Sequence, residues 1–225
     1  LKVLLGGGMS VQKATSEKWK KLTGNFILEA YGLSETSPAV TINPHTINSF
    51  NGSIGLPLPG TEVRIIDNDE NPVEAGEQGE LVVKGPQVMS GYWNNQKETD
   101  KAFTEDKLWF KTGDIAKMDQ KGFFYILDRK KDMVIVSGFN VYPTEVEQVI
   151  NSIEGVMECG CIGVNDEHSG EVVKAFIVAN KKLKKEDIIA HCKNNLSAYK
   201  VPKHIEFIKE LPKTNIGKIS KKDLR

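Results

Sequence analysis

Residues 29–38 read Glu-Ala-Tyr-Gly-Leu-Ser-Glu-Thr-Ser-Pro, so an aromatic ring, a glycine, a carboxylate and hydroxyls stand together in one short run. Tyr31 offers a face for stacking, and Gly32 lets a ligand approach the backbone closely. Glu35 can bind a hard cation such as Mg²⁺, and Thr36 can bond an anionic oxygen. A polar turn closed by Pro38 would use the same residues, and both readings stay open at this point. Residues 128–132, Asp-Arg-Lys-Lys-Asp, separate two apolar stretches. They suit a solvated turn, but Arg129 could also reach a ligand as a bidentate donor. A third cluster, Gly6-Gly7-Gly8-Met9-Ser10, follows the apolar residues 1–5. Such glycines admit an anionic ligand to the backbone, or simply make a tight turn.

The elements that must position these groups fall into three textures. Residues 1–5 and 26–28 read as short buried strands around a helix at 11–22 that stops at Gly24. This is α/β organisation, and ligands bind open α/β sheets at the C-terminal ends of strands, where residues 29–38 lie. From Gly52 onward the pattern is all-β: strands at 62–67, 80–84, 115–118 and 123–127, with a helix at 96–103, predict a small barrel or curled sheet. Beyond Lys131 the pattern is α+β. A strand at 133–136 breaks at Ser137-Gly138 and leads to a helix opened by Pro143, which presents Val146, Val149, Ile150 and Ile153 on one face. Strands at 156–164, 172–178 and 205–208 and a helix marked by Ile188, Ile189 and Cys192 complete it. The expected division is 1–129 and 130–225.

Thirty Lys and Arg cancel thirty Asp and Glu over 225 residues, so there is no general field for nucleic acid or an anionic membrane. The odd count of three cysteines fits neither a metal spacing nor a disulfide framework, and predicts buried thiols in a reducing cytosol. No apolar run reaches the length of a membrane span. The chain opens inside an apolar run without Met, which is expected of a piece cut through a strand.

Taken in order, four motifs resemble the core motifs of adenylate-forming acyl-CoA synthetases: Tyr-Gly-Leu-Ser-Glu-Thr (31–36), Thr-Gly-Asp (112–114), Asp-Arg-Lys-Lys-Asp (128–132) and Pro-Lys-Thr-Asn-Ile-Gly-Lys (212–218). The runs Gly-Pro-Gln-Val-Met-Ser-Gly-Tyr-Trp (85–93) and 131–143 look most like the bacterial long-chain fatty acid–CoA ligase branch. The resemblance implies ATP, Mg²⁺ and CoA acting on a fatty acid. It implies that Tyr31 stacks on adenine beside Gly7, Gly8, Met9 and Gly32, and that Glu35 holds Mg²⁺. Thr36 would contact the α-phosphate, and Asp114 and Arg129 the ribose. Lys131 matches the hinge, and Lys218 the mobile lysine that bridges the substrate carboxylate and the α-phosphate. Ser137, Gly138 and Phe139 would line the tunnel for the CoA thiol.

The family's Ser/Thr/Gly-rich phosphate loop ending in Pro-Lys-Gly is absent from this sequence, and Ile135 stands where luciferases carry a second lysine. A chain inactive by itself, belonging to a longer ligase, is therefore expected. An aryl or medium-chain acid ligase and a non-catalytic nucleotide-binding module are the alternatives. The resemblance also implies a cytoplasmic protein with peripheral contact to the inner face of a membrane, although no obvious anchor is present.

Overall fold

The computed structural model describes residues 3–11, 13–215 and 217–225; Leu1, Lys2, Gln12 and Ile216 lie outside the described residues, and with them part of the strand expected at 1–5. The chain divides into two compact units, Leu1–Ile126 and Leu127–Arg225.

Unit 1 carries two four-stranded sheets. In the first, β1 (Leu5–Gly6) runs parallel to β2 (Leu28–Gly32), and β3 (Ala39–Ile42) and β4 (Leu56–Pro57) add antiparallel. Helix α1 (Lys13–Thr23) connects β1 to β2. It ends at Gly24, whose φ of 81° permits the left-handed cap and whose N–H donates to the Lys20 carbonyl at 2.8 Å. The second sheet has the order β5 (Glu62–Ile66), β6 (Gln78–Lys84), β7 (Phe110–Met118), β8 (Phe124–Arg129). Period-2 alternation explains how β6 is buried on both sides. Leu81 and Val83 join Val40, Ile54, Ile65, Ala116 and Phe124 in the main core. Val82 turns to the other face, against Ile66 and Trp109.

Of the small barrel or curled sheet expected here, the barrel does not form: the strands make an open sheet, with no closed barrel among the described residues. At the outer edge of β5, Ile66 is bridged to Pro72, which has no N–H with which to extend a ladder. Helix α2 (Gln96–Ala102) is capped by Asn95, whose side chain accepts from the Glu98 N–H at 3.2 Å.

Unit 2 is one five-stranded sheet with two helices. Strands β9 (Val134–Val136), β10 (Phe139–Val141), β11 (Val156–Asp166) and β12 (Gly170–Ala179) lie in the order β10-β9-β12-β11, with β13 (His204–Phe207) parallel to β12. The break at Ser137-Gly138 does not lead straight into a helix. Both residues have positive φ, 50° and 85°, and form the two-residue turn of a hairpin in which Phe139 pairs with Val136. Helix α3 (Pro143–Asn151) follows, with Val146 and Ile150 fully buried. They pack with Val141, Cys161, Ile177, Cys192 and Ile188, the last two from α4 (Lys185–Asn195). All three cysteines are free thiols in this interior.

Candidate functional site

In unit 1 the parallel register Gly6↔Glu29 carries the glycine run alongside the strand that ends in Tyr31 and Gly32. A Cβ on Gly7 would stand 3.2 Å from the Ala30 carbonyl, and Gly8 has φ +82°, so this edge is kept bare next to β2. The Tyr31 hydroxyl donates to Asp114 Oδ2 at 2.5 Å, which joins two motifs 83 positions apart. Asp114 is buried in β7, and its N–H donates to Thr112 Oγ1 at 3.1 Å. The geometry therefore offers an aromatic ring with a carboxylate at its rim, next to a glycine edge.

Residues Ser34–Thr36 form a single 3₁₀ turn. Thr36 is fully buried, and its hydroxyl lies 3.0 Å from the Leu33 carbonyl and 2.7 Å from that of Pro38, while accepting the Leu33 N–H at 3.0 Å. It closes the loop that displays Glu35. Glu35 Oε1 accepts from the Tyr92 hydroxyl at 2.9 Å, and the Glu35 carbonyl accepts from the Met89 N–H at 2.8 Å. Tyr92 was not singled out by sequence reasoning. The signal for it lay in the 85–93 run, whose position next to residue 35 exists only after folding.

No group of three or more His, Cys, Asp or Glu able to cage a metal occurs among the described residues. A single half-buried carboxylate still fits Mg²⁺. That ion keeps several waters and binds through one or two carboxylates plus substrate phosphates rather than in an all-protein cage. Met9, proposed beside the adenine, is exposed. Glu29, two residues before Tyr31, is buried, and burial pushes its carboxyl up despite one bond from the Val11 N–H at 3.4 Å. Its Oε1, Ser16 Oγ and Trp19 Nε1 are buried with no hydrogen-bond partner among the described residues.

Unit 2 holds the remaining candidates. Arg129 ends β8 and is exposed; Lys130–Asp132 form a 3₁₀ turn with Lys131 exposed. Ser137, Gly138 and Phe139 occupy the β9–β10 hairpin tip, where the Phe139 ring stacks on Tyr199 at 4.9 Å. Lys218 is exposed on a turn closed by two bonds to Thr214, one from the Thr214 N–H to the Lys218 carbonyl at 2.7 Å and one from the Lys218 N–H to Thr214 Oγ1 at 3.2 Å.

The AMP-binding enzyme family matches residues 1–93, and the AMP-binding enzyme C-terminal domain matches residues 145–218. The chain belongs to this family of adenylate-forming enzymes. It is 54% identical over 226 residues to the long-chain-fatty-acid–CoA ligase of Yersinia pestis, an alignment covering 100% of this chain and 40% of that protein. ATP-bound MatB from Rhodopseudomonas palustris shares its structure with a TM-score of 0.92 at 35% identity, covering 99% of this chain and 44% of that one. The o-succinylbenzoate CoA synthetase MenE of Bacillus subtilis, in complex with the acyl-adenylate intermediate OSB-AMP, also gives a TM-score of 0.92, at 32% identity and 100% and 46% coverage. The chain thus spans about 40% of the length of these curated relatives. Among the described residues, no helix is long and apolar enough to cross a membrane.

Proposed function

We propose that this chain works within a protein of its relatives' length as part of an ATP-dependent fatty acid–CoA ligase. Its two steps are attack of the acid carboxylate on the α-phosphate, giving acyl-AMP and pyrophosphate, and then attack of the CoA thiol, giving acyl-CoA and AMP. The observation that supports the reading is the Tyr31–Asp114 contact, in which the hydroxyl of an aromatic ring meets a buried carboxylate. The 54% identical relative supports a long-chain acid as the substrate.

In this reading Tyr31 stacks on adenine beside the backbone of Gly7, Gly8 and Met9, while the bare face of Gly32 is taken by the Pro38 carbonyl, from which a Cβ would stand 1.7 Å away. Asp114 and Arg129 accept from and donate to the ribose. Glu35, held by Tyr92, orients Mg²⁺, while Thr36 keeps that loop in shape beside the α-phosphate. When bound, the ion offsets the phosphate charge that otherwise repels an incoming carboxylate. Lys218 supplies the remaining positive charge between carboxylate and α-phosphate, and one well-placed group of this kind is worth roughly 10²–10³ in rate. Residues 130–225 turn about Lys131 between the steps, and Ser137, Gly138 and Phe139 then border the path of the thiol. The setting is cytoplasmic, where ATP and CoA are available, with the acid met at a membrane's inner face.

The test is acid-dependent pyrophosphate release with ATP, Mg²⁺, palmitate and CoA, comparing this chain with one extended upstream through a phosphate-binding loop. Release is expected from the extended chain only, and Lys218→Ala there should lower it about a hundredfold. Full release from the Lys218→Ala variant would overturn the role of Lys218. Release with aryl acids but not palmitate would move the substrate to the aryl class.

A further inference from the structure

Unit 2 buries a small charge cluster that the steps above do not use. Lys221 Nζ lies 3.1 Å from Glu147 Oε1 on α3 and 3.9 Å from Asp128 Oδ1 at the end of β8, with the three side chains only 16%, 15% and 4% exposed. Every carboxylate oxygen facing it also takes a backbone donor or its neighbour does. Asp128 accepts from the Arg129 N–H at 2.7 Å and the Thr144 N–H at 2.8 Å, and Glu147 Oε1 accepts from the Cys161 N–H at 2.8 Å. Further along, Arg225 Nη2 donates to Asp132 Oδ1 at 2.8 Å and to the Lys131 carbonyl at 3.3 Å. Burial alone would lower the Lys221 ammonium, but the Glu147 and Asp128 carboxylates outweigh it and hold it above its usual range. The Glu147 carboxyl is raised, chiefly by burial, against the pull of Lys221.

One cation shared by two buried carboxylates is poor economy for stability, since desolvation consumes much of the attraction. What such a cluster does well is fix geometry. The turn bearing Lys218 ends three residues before Lys221; its backbone bonds, from the Ser220 N–H to the Pro212 carbonyl at 2.8 Å and the Lys213–Ile219 bridge, stay within residues 212–220, and apart from Arg225 the contacts that tie it to the rest of unit 2 are weak or non-directional. Lys213 pairs with Glu158 at 2.7 Å on the surface, a class of pair that contributes little. Ile219 and Leu224 pack against Ile162, Phe176 and Leu211, which holds the segment down without setting its register. The buried 3.1 Å contact of Lys221 with Glu147 is directional and reaches the middle of α3, and its 3.9 Å ion pair with Asp128 reaches the strand end next to Lys131.

We propose that Lys221 is a positioning residue: through Glu147 and Asp128 it fixes the Lys218 turn relative to the segment around Lys131. The proposal rests on the reading that Lys218 acts in adenylation. The first test is independent of activity. Amide exchange is measured on this chain, on Lys221→Met and on Lys221→Arg. In Lys221→Met the Gly217 and Lys218 amides should exchange about tenfold faster, the β11–β12 ladder should be unchanged, and Lys221→Arg should restore protection. Unchanged Gly217 and Lys218 amides would overturn the proposal, and so would faster exchange throughout unit 2, which would mean general support instead. If Lys221→Met does not fold, Glu147→Gln, which removes the charge Lys221 is paired with, must give the same local pattern for the proposal to stand. The second test uses the upstream-extended chain, where Lys221→Met should lower kcat for pyrophosphate release about tenfold with KM for ATP kept within about twofold, and should spare thioester formation from preformed acyl-adenylate. Equal losses in both steps would count against positioning. No pyrophosphate release from the unsubstituted extended chain would remove the ligase reading, while the exchange result would still decide whether the cluster holds the turn.

Discussion

Glu29 shows how one side chain can be set by its surroundings rather than its type. Burial raises its carboxyl above the ordinary 4.5, so the folded chain holds a proton that the unfolded chain has released. The stability this contributes is complete below the unfolded value and is lost as pH rises through the raised, folded value. Glu29→Gln cannot ionise and should abolish that decline. Thermal unfolding followed from about pH 4 to pH 8 should show the parent losing stability relative to the variant as pH rises; parallel curves would refute it. At this scale the sequence was informative where a residue type has few uses in a given setting. Tyr31, Glu35 and Asp114 stand in short runs that can be read locally. Tyr92 and Lys221 could not be found that way, because their meaning comes from partners 57 residues away at Glu35 and far upstream at Glu147 and Asp128. Thr36 can bond an anionic oxygen by its type, and only folding shows that its hydroxyl also lies within hydrogen-bond distance of Leu33 and Pro38 in its own loop.

Among the elements, the regular ones declared themselves. Helix α3 was legible because Val146, Val149, Ile150 and Ile153 repeat at helical spacing, and β5 because residues 62–67 alternate. Strand β10 escaped, since three residues are too few to show alternation, although Ser137-Gly138 carried a usable hairpin signal. Whether the second sheet closes was not legible, because closure depends on edge pairing and not on any one strand's pattern. The two sheets of unit 1 meet where Gly55 bridges Phe124: the Ile54 N–H donates to the Phe124 carbonyl at 2.9 Å, and the Phe124 N–H to the Gly55 carbonyl at 3.1 Å. Gly55 has φ +94°, and a Cβ there would stand 2.0 Å from the Ile42 carbonyl carbon. Backbone cannot yield as a side-chain tip does, so Gly55→Ala should cost about 3 kcal/mol in denaturant unfolding. A cost below about 1 kcal/mol would mean that this junction gives way easily.

Across the whole molecule, the interior is divided as the chain is. The clusters around Leu81 and Val82 belong to unit 1, and those around Ile150 and Leu211 to unit 2. Ile150→Ala should destabilise unit 2 by about 2–5 kcal/mol, and amide exchange should rise in β11 and β12 while β6 and β7 keep their protection. Loosening of both units together would show that they unfold as one. The topology of unit 2 also sets a timetable. Strands β11 and β12 are neighbours in sequence and pair over ten positions from Val156↔Ala179 to Asp166↔Gly170. In contrast, β13 reaches β12 through Lys174↔His204, 30 residues apart, and β9 through Val136↔Gly170, 34 apart. Short loops close sooner because they cost less chain entropy. The β11–β12 hairpin is therefore expected to close before β13 and β9 dock on it.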